Sequence, residues 1–128
     1  MILGIGVDIV DHQRVRDMLA RRGAEALMAR LLTPDEAAYC QRMRDPTAHV
    51  AVRLAAKEAA FKALAGSYEA RGIGWQELEV VHDEHRRPVL RLHGRAADRA
   101  AELGVKRTHL SMTHGDTSSV ATVIVEGG

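Results

Sequence analysis

The sequence is poor in cysteine, in net charge and in long apolar runs, and each shortage excludes a class of protein. Cys40 is the only cysteine, which excludes a disulfide framework within the chain and a cysteine-based zinc site. Eighteen basic against seventeen acidic residues give a formal charge of +1, which is not the footprint of a nucleic-acid-binding protein. No uncharged run approaches membrane-spanning length, and no basic region precedes the apolar start. We therefore expect a soluble, cytoplasmic protein with no nucleic-acid or membrane partner.

The stretch HVAVRLAAKEAAFKAL, residues 49–64, is the strongest element of the chain. Residues 50–64 contain no Gly, Pro, Asn or Ser, and six of them are Ala, so the stretch predicts a helix. Small side chains fill one half of its wheel, and we expect that half to be buried. The other half mixes Leu and Phe with four charges that need partners: Arg53, Lys57, Glu58 and Lys62. The alternative is a half-exposed helix on which Glu58 and Lys62 form an ordinary surface pair.

A second misplaced charge lies in the first ten residues. MILGIGVDIV predicts a strand that is buried from its first residue, because its β-branched apolar residues suit a core strand. Asp8 interrupts this run, and a carboxylate inside an apolar strand must be solvated, capped or bound to a cation. The alternative is that Asp8 and Asp11 begin the turn into the next helix. Gly4 and Gly6 do not make a dinucleotide-binding motif, because no third Gly follows them.

The remaining patterns predict an α+β order of elements. Residues 11–30 predict one or two helices broken near Gly23, and the TPDE that follows has the pattern of a capping box. LEVVH and VLRLH predict a hairpin, RAADRAAEL a short helix, and HLSMTH with SVATVIVE a second hairpin. Residues 1–128 are therefore expected to form a single α+β domain, with a mostly antiparallel sheet and a long central helix packed across it.

Histidines give two weaker signals. His82 and His85 flank an acidic pair, but their spacing does not match a zinc-binding helix, and the proline that follows favours a plain hairpin loop. His114 lies at a strand end, at the mouth of a turn, where both a working role and a capping role are open.

Asp8 and Glu58 together would make a site for a hard cation. Two carboxylates about 4 Å apart repel by about 4 kcal/mol at an effective dielectric of about 20, so a shared site requires a cation. Mg²⁺ fits an all-oxygen site, because it takes one or two carboxylates and completes its shell with water and phosphate oxygens. Arg53, Lys57 and Lys62 would supply the phosphate partners. The residues alone thus predict metal-assisted chemistry at a phosphate ester.

Five segments, in order and from end to end, resemble the holo-acyl-carrier-protein synthase family, the short AcpS-type 4′-phosphopantetheinyl transferases. They are GIGVDIV with the Arg14 that follows it, LTPDEAAYC, RLAAKEAAFKAL, GW…LEVVHD…RPVLRLHG, and LSMTH. The resemblance implies a 4′-phosphopantetheinyl transferase-like fold. It also implies Mg²⁺-dependent transfer of the 4′-phosphopantetheine arm of coenzyme A to a serine of an apo acyl carrier protein, with release of adenosine 3′,5′-bisphosphate.

The resemblance also implies roles for individual residues. Asp8 and Glu58 become the Mg²⁺ ligands, and Lys62 becomes a partner of the coenzyme A pyrophosphate. Three residues are candidates for the nucleotide and phosphate pocket: Arg53, Lys57 and His114. Lys62 can neutralise the departing phosphate, and Glu58, directly or through a metal-bound water, is the first choice to accept the serine proton. The predicted catalytic residues are therefore Glu58, Lys62 and Asp8.

The implied partners are coenzyme A and an acidic acyl carrier protein. The stripe Arg14, Met18 and Arg21 matches an acidic carrier in sign, although such a stripe is also typical of an ordinary solvated face. Longer family members resemble two fused copies of this unit with the active site between them, so we expect a closed homo-oligomer, specifically a homotrimer. Gly66 to Ala70 replace the usual Gly-rich connection near the expected coenzyme A pocket.

Three questions stay open at this point. The carrier belongs either to fatty acid biosynthesis, and hence lipid metabolism, or to a polyketide pathway. A different Mg²⁺-dependent enzyme of phosphate esters, such as a phosphatase, is one rival function. A non-catalytic binding module is the other.

Overall fold

The computed structural model describes residues 1–65 and 72–128, so the predicted segment Gly66 to Ala70 lies outside the described residues. None of the helices within these two ranges is both long and apolar enough to cross a membrane. A 3₁₀ turn at Trp75–Glu77 precedes the second strand of the chain. The elements, in chain order, are β1 (Ile2–Asp11), α1 (His12–Arg22), α2 (Ala24–Leu31), α3 (Pro34–Gln41), α4 (Thr47–Ala65), β2 (Leu78–His82), β3 (Pro88–Leu92), α5 (Gly94–Leu103), β4 (Val105–His114) and β5 (Ser118–Gly127).

The described strands form two antiparallel sheets. The larger sheet has the order β1-β5-β4, and β2 pairs with β3 in the smaller one. Helix α4 packs across the larger sheet, against β1 and β5. The predicted α+β fold with a mostly antiparallel sheet and a long central helix across it is confirmed. Both predicted hairpins are present, and the helical region before residue 32 breaks at Gly23 as expected.

Strand β1 lies unusually close to α4 because of its glycines. A Cβ at Gly4 would overlap the carbonyl oxygen of Ala63, and one at Gly6 would overlap that of Ala59. The small-residue half of α4 is buried, as predicted. Backbone therefore meets backbone here, since neither side of the contact carries a bulky side chain. This close approach brings Asp8, two residues after Gly6, up to the side of the helix.

The prediction that β1 is buried from its first residue is wrong. Side chains of β1 alternate: Gly6 and Val10 face α4, whereas Ile5, Val7 and Ile9 are 63%, 57% and 60% exposed. The reason is that only one face of the antiparallel sheet packs against α4, and no element of the described chain covers the other. A row of branched apolar side chains is left facing outwards.

Side-chain caps set the entry to two helices. At α3, the Thr33 hydroxyl accepts a hydrogen bond from the Glu36 amide (3.2 Å), while the Glu36 carboxylate accepts one from the Thr33 amide (2.9 Å). This is the predicted capping box. Ahead of α4, Asp45 Oδ1 accepts a hydrogen bond from the Thr47 amide at 3.0 Å.

Candidate active site

Asp8 lies on the face of β1 that contacts α4, next to a lysine of that helix. Lys62 Nζ is 3.0 Å from Asp8 Oδ1 and donates a further hydrogen bond to the Val7 carbonyl at 3.2 Å. The Lys62 side chain is 55% exposed, but that of Asp8 is only 15% exposed. The carboxylate is therefore held in a fixed, partly buried position, whereas most of the lysine reaches into solvent.

Glu58 lies one helical turn before Lys62, on the same side of α4. Its Oε1 accepts a hydrogen bond from Arg14 Nη2 at 3.3 Å, and the side chains are 23% and 52% exposed respectively. The structure thus brings together Asp8, Glu58 and Lys62, the three predicted catalytic residues. It adds Arg14, which the sequence had indicated only as part of a surface stripe.

The two carboxylates hold their protons very differently. Burial raises the pKa of Glu58, as do the hydrogen bond to Asp8 and the negative charge of Asp8, and the pKa reaches about 7 although Arg14 opposes the shift. Burial also acts to raise the pKa of Asp8, but the hydrogen bond from Glu58 and the Lys62 ammonium outweigh it, so this pKa lies below its usual value. Asp8 is therefore the more acidic of the two groups, and Glu58 is the one that keeps its proton up to about neutral pH.

The residues present fit a hard divalent cation. Asp8 Oδ2 is buried and has no hydrogen-bond partner in the described part of the chain, and an unsatisfied buried oxygen of this kind is costly unless something binds it. Two carboxylates match the protein ligands that Mg²⁺ takes. Residues 1–65 and 72–128 contain no group of three or more His, Cys, Asp or Glu side chains able to hold a metal. The donor set therefore suits Mg²⁺ better than Zn²⁺ or a calcium cage.

A cleft opens beside the carboxylates. Its volume is about 360 Å³, and the wall opposite the charged residues is apolar. Within it, Phe61 is 39% exposed although it is a large aromatic residue. The cleft thus joins a charged end to an apolar end, and its lining consists of Glu58, Phe61, Lys62, Ile73, Gly74, Trp75 and Leu78.

Lys57 is placed where it cannot meet a phosphate. Its side chain is fully buried, and its ammonium donates to Glu36 Oε1 (2.7 Å), the Leu78 carbonyl (2.7 Å) and the Trp75 carbonyl (2.9 Å). An ammonium group has three protons, so none is left for a ligand. The structure is therefore at odds with the prediction that Lys57 lines a phosphate pocket, and Lys57 instead ties α4 to α3 and to the start of β2.

Arg53 and His114 both lie near His49. The Arg53 guanidinium lies 4.4 Å from the centroid of the Tyr39 ring and donates to the His49 carbonyl at 3.1 Å. Its buried Nε has no hydrogen-bond partner among the residues that the structure describes. Burial lowers the pKa of His49, and so do the charges of Arg53 and His114. His114 is exposed on the same face of the sheet as Asp8, one pleat further along, about 7 Å away along the strand direction.

Two contacts of the site had no readable signal in the sequence. Arg14 and Glu58 are 44 residues apart, and the helical stripe predicted exposure of Arg14 without showing that it points at α4. Glu36 was identified as a helix cap, and nothing in its position marked it as the partner of Lys57. The only available signal was indirect, because a lysine among alanines in a core helix needs an acceptor from elsewhere.

The part of the chain that holds these residues matches a known family. Residues 4–123 match the model of the 4′-phosphopantetheinyl transferase superfamily. The holo-[acyl-carrier-protein] synthase of Anaeromyxobacter sp. (strain K) is 46% identical over 129 residues, covering 99% of this chain and 98% of that protein.

Solved structures agree with the sequence comparison. The crystal structure of the holo-[acyl-carrier-protein] synthase from Neisseria meningitidis has a TM-score of 0.88 at 31% identity, with 98% of this chain and 99% of that chain covered. The structure of the synthase from Bacillus anthracis str. Ames in complex with CoA (3′,5′-ADP) has a TM-score of 0.79 at 31% identity, with 100% and 99% covered. Sequence and fold therefore indicate the same group of proteins.

Proposed function

Because the chain belongs to the 4′-phosphopantetheinyl transferase superfamily and is a holo-[acyl-carrier-protein] synthase, we propose that it moves the 4′-phosphopantetheine arm from coenzyme A to a carrier serine in a Mg²⁺-dependent reaction. The product that leaves is adenosine 3′,5′-bisphosphate. One observation carries the metal assignment: the Asp8 and Glu58 side chains lie close together at the β1–α4 contact, and the buried Asp8 Oδ2 has no hydrogen-bond partner among the described residues.

Asp8 and Glu58 would hold the cation, and bound Mg²⁺ would neutralise pyrophosphate charge that builds up during transfer. Lys62 supplies a second positive charge on the same side of α4, on a side chain that is more than half exposed and can reach a ligand. Its present hydrogen bond to Asp8 is an exposed ion pair, which stabilises the chain by at most about 1 kcal/mol. Lys62 can therefore leave Asp8 and bind a phosphate oxygen with little loss of stability.

The reaction is a displacement at phosphorus. The serine oxygen forms a bond to the β-phosphorus, and the bond from that phosphorus to the bridging oxygen breaks, so that the nucleotide leaves with the electron pair. Glu58 accepts the serine proton, directly or through a water. The pKa of Glu58 is about 7, and a bound cation would lower it, so that Glu58 would be ionised and able to accept a proton near neutral pH. Asp8, with the lower pKa, stays ionised and serves as a ligand only.

The cleft next to Glu58 and Lys62 suits the pantetheine arm. Its walls are mostly apolar, and it begins where the phosphates would lie. Arg53 and His114, which are grouped around His49, remain our candidates for the nucleotide phosphates. Complexes with coenzyme A or a part of it are known for relatives, among them the Bacillus anthracis synthase.

The carrier would dock on the stripe of α1 that begins six residues after Asp8. A groove of about 420 Å³ runs along this stripe and is lined by Arg14, Met18, Arg21 and Arg22. Three guanidinium groups around one thioether match an acidic helix in charge and present one apolar contact to it. The stripe also reaches the catalytic cluster, since Arg14 contacts Glu58.

The outward face of the larger sheet supports assembly into a closed homo-oligomer, for which we propose a trimer. Ile5, Val7 and Ile9 are each more than half exposed, and neighbouring β5 residues on this face include Val120 and Ile124. An apolar face of this kind is typical of a subunit interface. Sedimentation at assay concentrations should show a trimer, and a fully active monomer would rule the proposal out.

Mass spectrometry of the carrier tests the proposed function. Apo carriers of fatty acid and polyketide pathways are incubated with coenzyme A and Mg²⁺, and the added arm and the released bisphosphate are quantified. We expect a one-to-one yield that is lost with a chelator and restored by Mg²⁺. Breakdown of coenzyme A without carrier would indicate a phosphatase, and no metal-dependent turnover would indicate a binding module. The cytoplasmic location and the fatty acid pathway remain predictions.

A further inference from the structure

Arg14 belongs to two surfaces at once. Its guanidinium hydrogen-bonds Glu58 at 3.3 Å, and the same side chain lines the groove of the α1 stripe. About half of the side chain, 52%, is exposed to solvent. No other residue of the stripe contacts the carboxylates among the described hydrogen bonds and ion pairs, because Arg21 donates instead to the Asp17 carbonyl of its own helix.

The contact between Arg14 and Glu58 opposes a cation at the same carboxylate. A guanidinium bonded to Glu58 Oε1 lies within a few ångströms of the position that a bound divalent cation would take, and like charges at that distance repel strongly. Binding of the cation therefore weakens the hold of Glu58 on Arg14. The displaced guanidinium needs another anion, and a carboxylate of an acidic carrier in the groove would supply one.

We propose that Arg14 is a positioning residue that pairs with Glu58 in the free enzyme and with a carboxylate of the docked carrier, so that carrier docking and divalent cation binding favour each other. This inference rests on the proposed function. It explains why Arg14 contacts Glu58, a proposed metal ligand, in the free enzyme. Glu58 is fully released from Arg14 only when the carrier docks.

The coupling should be small but measurable. The Arg14–Glu58 pair is one long hydrogen bond in a half-exposed position, so we expect a coupling near the lower end of the usual range, about fivefold in affinity. Thermodynamic linkage requires the effect to be reciprocal. Carrier should tighten cation binding by the same factor by which cation tightens carrier binding.

The test measures binding without turnover. Mn²⁺ is titrated into the enzyme at about pH 8, where both carboxylates are ionised, and free Mn²⁺ is followed by electron paramagnetic resonance. Coenzyme A is left out, and the carrier has its acceptor serine replaced by alanine. In the wild-type enzyme, saturating carrier should lower the Kd for Mn²⁺ about fivefold, and saturating Mn²⁺ should lower the Kd for carrier equally.

Two matched variants separate the exchange of partners by Arg14 from simple charge effects. Arg14→Gln should bind Mn²⁺ more tightly than wild type when free, and saturating carrier should then change its Kd for Mn²⁺ by less than twofold. Arg21→Gln removes the same charge from the same stripe and should keep the fivefold coupling, even though it binds carrier more weakly. Undiminished coupling in Arg14→Gln would overturn the proposal, because the carrier's own charge would then be attracting the cation.

The remaining outcomes also decide. If Mn²⁺ binds and transfer proceeds but carrier leaves the Kd for Mn²⁺ of the wild-type enzyme unchanged, the proposed coupling through Arg14 is wrong and the proposed function stands. If the wild-type enzyme binds no more Mn²⁺ than Glu58→Gln does, Glu58 holds no cation. The proposed cation site is then wrong, and so is the proposed coupling between carrier and cation.

Discussion

Helix α4 carries two lysine–carboxylate pairs that look alike in sequence and differ in almost every physical respect. Lys57 pairs with Glu36 at 2.7 Å, and both side chains are completely buried. Five residues later, Lys62 pairs with Asp8 at 3.0 Å, with side-chain exposures of 55% and 15%. One pair lies in the core between α3 and β2, and the other at the edge of a cleft.

The difference between the pairs lies in what is left unsatisfied. In the buried pair the lysine has three acceptors, and the Glu36 carboxylate accepts from the Thr33 and Val80 amides as well as from Lys57. In the exposed pair Asp8 Oδ2 has no hydrogen-bond partner within residues 1–65 and 72–128. A saturated, buried pair can only hold the fold together, whereas an unsaturated one at a cleft can bind a ligand.

Removing either carboxylate of the exposed cluster should have the largest effect on activity. Asp8→Ala and Glu58→Ala should each lower carrier modification at least 1,000-fold, or about 4 kcal/mol of barrier, because each removes half of the proposed cation site. Both variants should stay folded, since Glu58→Ala removes an unfavourable charge and Asp8→Ala loses only the ion pair with Lys62, which contributes at most about 1 kcal/mol. Near-normal transfer by either variant at limiting Mg²⁺ would remove the assignment.

Replacing Lys57 should destabilise the fold of the protein rather than remove a group that takes part in the reaction. Lys57→Met leaves Glu36 as an unpaired buried charge, for which we expect a loss of about 3–5 kcal/mol in the free energy of unfolding, measured by urea denaturation. The matched control is Lys62→Met, the same substitution in the exposed pair. It should change stability by less than about 1 kcal/mol while greatly slowing transfer.

The opposite pattern for the two lysines would restore the sequence-based role of Lys57. A Lys57→Met enzyme that is as stable as the wild type but binds coenzyme A weakly would mean that Lys57 contacts the ligand. The comparison between the two pairs would then be wrong.

Changing pH should alter both stability and cation affinity through Glu58, which lies beside the exposed pair. In the unfolded chain Glu58 loses its proton near pH 4.5, but in the folded protein only near pH 7. The folded state therefore binds more protons between these values, and the contribution of Glu58 to stability falls as pH rises through this window. Cation binding must expel that proton, so Mg²⁺ affinity should rise up to about tenfold per pH unit below pH 7 and level off above it.

Calorimetry can follow both effects. Proton release on Mg²⁺ binding is read from the heat in buffers of different ionisation enthalpy, and stability from melting curves over the same pH range. Glu58→Gln cannot titrate at this position, so the part of the stability slope due to Glu58 should vanish. An unchanged slope in Glu58→Gln would show that another group titrates there.

The smallest expected effect concerns the carrier stripe. Arg14→Glu with Arg21→Glu should raise the KM for carrier about tenfold, leave that for coenzyme A nearly unchanged and flatten the salt dependence of the rate, since exposed charges are screened over about 10 Å at 0.1 M salt. Steady-state kinetics over a range of salt concentrations provides the measurement. Equal losses for both substrates would locate the damage at the shared site, and no loss would make the stripe an ordinary solvated face.

Most of the fold could be predicted because its signals are local. The alanine-rich period of α4, the capping box at Thr33 and the two hairpins are each set by neighbouring residues. The exposure of β1 could not be predicted, because Ile5, Val7 and Ile9 have the side chains of core residues. The sequence does not show that only one face of the sheet is covered.

Part of the site could be predicted for a different reason. Asp8 and Glu58 are charges in apolar segments, and that mismatch indicates that each charge needs a partner. Lys57 shows the same mismatch, but its resolution depends on Glu36 in a different helix. Sequence can show that a buried charge needs a partner, but it cannot tell whether the partner is a protein group or a ligand.

The most direct test of the central claim is to locate the cation. Crystals grown with coenzyme A and Mn²⁺ in place of Mg²⁺ would show the metal by its anomalous scattering. The comparison between the two pairs predicts one peak per chain, within coordination distance of both Asp8 and Glu58, and none beside Glu36. A peak elsewhere in the coenzyme A complex, or none at saturating Mn²⁺, would contradict it.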